Sequence, residues 1–135
     1  MSKNPDHRSS AVEFDGALMF VVNSPEMTLH TAQADQGKFT APCNGTIVKC
    51  VANLIEAPGT AAGGIDIGKQ GDADYFTATG VISFGTGHAL GAIDITSSLT
   101  NTDVNEGDVI EFGTDGNATT TGLIAVTLVI SPNAA

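Results

Sequence analysis

Thr46–Glu56 reads TIVKCVANLIE, and this stretch decides the fold. Val48, Cys50, Ala52 and Leu54 share one face at a period of two. Ile47, Lys49, Val51, Asn53 and Ile55 share the other, which is mixed. That period belongs to a strand, since a helix would bring together residues three and four apart. The stretch therefore predicts a long strand with one dry face. Downstream, the loop APGTAAGG (57–64) leads to Ile65 and Ile67, which alternate with Asp66 and Gly68, and then to a charged turn at 69–74. Residues 75–79 and 81–84 read as strands around Gly80, and Ile93 and Ile95 alternate with Asp94 and Thr96 after the glycine-bounded loop 85–91. Residues 104–108 read as a turn into a strand over 109–112, and Asp115-Gly116 signals a tight turn. The final strand, residues 122–130, is apolar on both faces and stops at Pro132.

Upstream, AQADQG (32–37) reads as a polar loop, and Met27, Leu29 and Thr31 as the dry face of a strand after the turn at 23–25. Val12 and Phe14 alternate with Glu13 and Asp15, and 17–22 is wholly apolar, giving one or two strands broken by Gly16. Residues 1–10 form a polar arm. The result is about eight to ten short strands with turn chemistry between them, which predicts an all-β chain folded as a single β-sandwich or jelly-roll domain over residues 11–135.

The composition agrees. The 135 residues make one domain of 13.7 kDa, with 20 Val and Ile against 10 Leu and Met, 16 Gly and 16 Thr. Five basic residues face 15 acidic ones, a net charge of -10, which excludes a nucleic-acid binder and docking on an anionic membrane. The charge is uneven. Residues 1–49 carry -1 and residues 50–135 carry -9, with no Lys or Arg after Lys69. The polar start MSKNPDHRSS is not a signal peptide, so the chain is expected to be made in the cytoplasm and to remain soluble. The sequons at Asn44 and Asn117 are then expected to stay unmodified.

The chain offers little catalytic chemistry. His7, His30 and His88 are scattered through an arm, a polar strand face and a loop, with no paired nucleophile and no HxH metal pair. The loop GTGHALG (85–91) is one residue too long for a dinucleotide fingerprint and lacks a following helix. Asp72, Asp74, Asp115 and Asn117 offer oxygens, yet neither turn matches a calcium loop. Cys43 and Cys50, on an extended segment roughly 23 Å apart, are expected to be free thiols. The expectation is a non-enzyme with no metal and no cofactor.

Two phrases carry a resemblance. FTAPCNGTIVK (39–49) resembles the opening of the small jelly-roll proteins that decorate tailed-phage capsids, and EGDVIEF (106–112) resembles the entry to their penultimate strand. The likeness runs over roughly residues 38–130. It implies a decoration (cement) protein that sits as a homotrimer on the outer surface of a virion and clamps the major capsid protein. The alternatives are a receptor- or glycan-binding head of a fibre or adhesin, for which exposed aromatics are few, and a cupin-like enzyme, for which the histidine cluster is missing.

On this reading, residues 11–31 are the candidate attachment segment, with Val12, Phe14, Leu18, Met19 and Phe20 as candidate capsid contacts. The last strand needs a cover on its second face, which makes Leu123, Ala125, Thr127 and Val129 the candidate subunit interface.

Overall fold

The computed structural model describes residues 12–14, 17–30, 32–77, 81–116 and 121–133; of residues 12–14, 17, 18, 33 and 34 it describes the backbone. The arm over residues 1–10, His7 and Asn117 lie outside these. Eleven strands occur among the described residues: β1 Val12–Phe14, β2 Ala17–Asn23, β3 Met27–Thr28, β4 Ala32–Thr40, β5 Gly45–Glu56, β6 Gly63–Lys69, β7 Ile82–Phe84, β8 Gly91–Asp94, β9 Asp103–Val104, β10 Val109–Asp115 and β11 Leu123–Pro132. One sheet runs β1-β2-β11-β5-β8, with β3 added on β11 and β9 on β5. The other runs β4-β10-β6-β7.

This order is that of a hairpin rolled up on itself. The chain pairs β2 with β11, β4 with β10, β5 with β8 and β6 with β7, all antiparallel. Rolling the four pairs then brings β11 onto β5 and β10 onto β6. The protein is a jelly-roll β-sandwich. Its core lies between the inner faces, where Leu54, Ile67, Phe76, Phe112, Ile124 and Leu128 are fully buried.

Three hydroxyls complete the ladders where a neighbouring strand stops short. Between β2 and β3, Ser24 N–H donates to the Val126 carbonyl and Ser24 Oγ accepts from Val126 N–H, both at 2.8 Å. Thr96 Oγ1 accepts from Cys50 N–H (2.9 Å) beyond the end of β8, and Thr77 Oγ1 accepts from Ile67 N–H (2.7 Å) beyond the reach of β7. Each removes an orphaned donor at a sheet position that would otherwise cost about 1–3 kcal/mol.

The two phrases that carry the resemblance form one corner. Ala41 N–H donates to the Asp108 carbonyl (2.8 Å), Gly107 N–H to the Ala41 carbonyl (2.9 Å) and Glu106 N–H to Asn44 Oδ1 (2.7 Å). Gly107 takes φ +90° in this turn, a conformation that favours glycine. Both motifs therefore build the fold.

The structure corrects several local expectations. AQADQG belongs to β4, an edge strand held by β10, and not to a loop. Its Gln36 side chain bonds Thr114 of the neighbouring β10 and reaches across to Thr28 of the other sheet. Residues 75–77 do not form a strand: Phe76 and Thr77 N–H both donate to the Ile67 carbonyl, tucking the segment against the edge of β6. Leu29 and His30 lie in a turn after the two-residue β3. On β5 the pairing passes from Val129↔Lys49 to Ile130↔Ile47, so Val48 is a bulged residue. The bulge shifts the alternation, burying Ile47 and exposing Val48.

Candidate interaction surfaces

No cavity opens among the described residues, and no group of three His, Cys, Asp or Glu side chains there is arranged to hold a metal ion. Among the described residues, no helix is long and apolar enough to cross a membrane. Cys50 is fully buried on the dry face of β5, and burial pushes its thiol up to about 12; Cys43 is half-buried, and both thiols are free. His30 is exposed, and His88 packs edge-on against Phe84 with ring centroids 5.2 Å apart.

The surfaces of the sandwich differ in character. The outer face of the large sheet follows from its register. Leu123, Ala125, Thr127 and Val129 form a half-buried row along the central strand β11. Val21 and Asn23 of β2 stand beside Val129 and Thr127, and Val51 and Asn53 of β5 beside Thr127 and Ala125. Thr127 Oγ1 lies 2.7 Å from Asn23 Oδ1. Lys49 pairs with Asp94 (3.4 Å), and Glu56 stands at the end of the row, accepting from Gly122 N–H. Hydrogen bonds from Thr96 hold the Asp94 carboxyl below its ordinary value, helped by Lys49. The four residues expected at a subunit interface therefore lie together on one largely uncharged face.

The outer face of the small sheet is acidic. It carries Asp66, Glu111 and Asp115 against Lys38, which lies 3.8 Å from Glu111 and 3.4 Å from Asp35. Asp115 Oδ1 accepts from Gly64 N–H (3.0 Å). Asp66 is pushed up to about 6, first by burial and then by the charges of Asp74 and Asp115; its Oδ1 is buried without a hydrogen-bond partner. The sequence shows Asp66 only as alternating with Ile65 and Ile67 and does not single it out, because its acidic neighbours come from other elements.

At the end of the sandwich near residues 69–77 and 103–108, Lys69 Nζ sits 3.9 Å above the Tyr75 ring and 3.7 Å from Asp108. Tyr75 donates its hydroxyl to the Asp103 carboxylate (2.7–2.8 Å), which raises its own pKa. The one tyrosine is thus occupied on a face and at its tip, and is not a free sugar-stacking platform.

Among the candidate capsid contacts, Met19 is half-buried. Phe20 packs against the core, its ring 6.1 Å from that of Phe39. Val12, Phe14 and Leu18 lie in β1 and β2, where Val12 pairs with Met19, Glu13 with Leu18 and Phe14 with Ala17. Their side chains lie outside the description. β1 and β2 thus pair antiparallel at the border of the large sheet.

A jelly-roll sandwich with one largely uncharged and one acidic outer face is the class that the geometry defines. No protein-family model matches the chain, and no curated protein matches it. Among solved structures, a chain of the one titled "Cyanophage Pam1 capsid asymmetric unit" is similar, with a TM-score of 0.55 and 16% identity over 90% of each chain. At that identity the likeness is one of fold.

Proposed function

We propose that the chain is a non-enzymatic structural protein of a bacteriophage virion, which decorates the outer surface of the capsid as a homotrimer and cements neighbouring copies of the major capsid protein. The observation that carries this reading is a jelly roll matching, along nine-tenths of both chains, a chain from a cyanophage capsid structure. The largely uncharged row Leu123, Ala125, Thr127 and Val129 on a chain of net charge -10 supports self-association, because this face escapes the repulsion that the acidic outer face of the small sheet would meet. The partners are then further copies of the chain and the major capsid protein, with nucleic acid and membranes disfavoured by charge. The place of synthesis is the host cytoplasm. Attachment falls to residues 11–31 and the arm before them, where backbone pairing with a neighbouring sheet would supply affinity.

Deleting residues 2–10 tests the attachment. No residue of the described core is lost, so the truncated chain is expected to fold and assemble as the full chain does. It should co-sediment more weakly with capsids, stripped of this protein, of the phage that encodes it. Undiminished co-sedimentation would contradict attachment through the arm.

A further inference from the structure

Four large hydrophobic side chains stand exposed among the described residues: Val21 (48%), Val48 (42%), Val81 (54%) and Leu90 (62%). They fall on two separate parts of the molecule. Val21 and Val48 belong to the outer face of the large sheet. Val21 is the direct cross-strand neighbour of Val129, and Val48 is bulged out where β5 passes Val129. Val81 and Leu90 belong to the opposite border. Val81 immediately precedes β7, the edge of the small sheet, and Leu90 immediately precedes β8, the edge of the large one.

Both parts are poor in charge on a chain that is otherwise acidic. Residues 81–93 contain no Asp, Glu, Lys or Arg. On the face, Lys49 and Asp94 neutralise each other. The loop between β7 and β8 is exposed throughout, and a Cβ at Gly85 or Gly87 would meet nothing within 4 Å. Leu90 therefore has room to enter a neighbour's surface.

Two apolar patches at different places on one chain cannot both be covered by a contact that pairs a patch with itself. A face-to-face contact about a two-fold axis would leave Val81 and Leu90 in water. A contact that joins one patch to the other covers both, and it closes into a ring when the rotation permits. We infer that copies of this chain assemble edge on face: the β7–β8 border of one, with Val81 and Leu90, seats on the Val21–Val129–Val48 face of the next. This inference rests on the homo-oligomer reading and specifies its geometry.

The test uses Val21→Asp and Leu90→Asp, both at exposed positions, with mass measured by light scattering and folding checked by circular dichroism. Val48→Asp replaces the face variant if Val21→Asp does not fold. Each variant alone is expected to be a folded monomer under conditions where the wild type is assembled. Mixed, they should form a species of two chains and no larger, because the border of the Val21→Asp chain still fits the face of the Leu90→Asp chain. A Leu90→Asp chain that keeps the wild-type mass, or a mixture that stays monomeric, overturns the edge-on-face contact while leaving self-association standing. A monomeric wild type overturns self-association itself.

Discussion

A side chain introduced at Gly68 should cost about 3 kcal/mol of stability and lower the melting midpoint by roughly 10 °C. A Cβ there would stand 2.1 Å from the Ala73 carbonyl oxygen and 2.2 Å from its carbon. Backbone cannot step aside as a flexible side chain can, so the segment after β6 must lift. That segment holds more than itself. Phe76 is fully buried, Thr77 caps Ile67 N–H, and the Phe76 carbonyl accepts from Thr100 N–H (2.7 Å). Gly68→Ala would therefore loosen the edge of the small sheet and the loop that packs on it. Gly87→Ala is the control. It meets nothing within 4 Å and should change stability by less than about 0.5 kcal/mol. Equal midpoints for the two variants, measured by thermal melting, would show that residues 70–77 do not pack on Gly68 as described.

Asp66→Asn should stabilise the protein at pH 7 by about 1–2 kcal/mol, a figure reduced for the partial exposure of the side chain. The folded protein raises this carboxyl from 3.8 to about 6, through burial first and then Asp74 and Asp115. An acid whose folded pKa is raised binds its proton more tightly when folded. Its contribution is favourable below pH 4, is lost as pH rises through 6, and leaves a penalty that is constant above that. Wild type and variant should thus differ at pH 7 and converge as pH falls towards 4. Denaturant melts at a series of pH values read this directly, and a gap that does not change with pH would contradict the account.

These two sites show how far the sequence could be read. The period-two patterns of β5 and β11 are legible because burial is imposed residue by residue along a strand, and Cys50, Ala52, Leu54, Ile124, Val126 and Leu128 are indeed all buried. The border strand β4 was hidden because AQADQG has no dry face of its own; pairing with β10 makes it a strand. The bulge at Val48 was hidden because a register relates two strands, and neither one encodes it alone. Gly68 read as an ordinary polar alternation, for its clash comes from a loop that turns back over it. Asp66 read only as a polar position alternating with Ile65 and Ile67, since Asp115 approaches it from β10 and Asp74 from the turn after β6. The candidate interface row was legible as the second apolar face of the last strand. Its continuation onto Val21 needed the pairing of β2 with β11.

The central claim is that this jelly roll is a subunit built to assemble on a capsid with copies of itself. Light scattering on the purified full chain tests it most directly. The account predicts a single species of three chains, each of 13.7 kDa. A monodisperse monomer at micromolar concentration would contradict it.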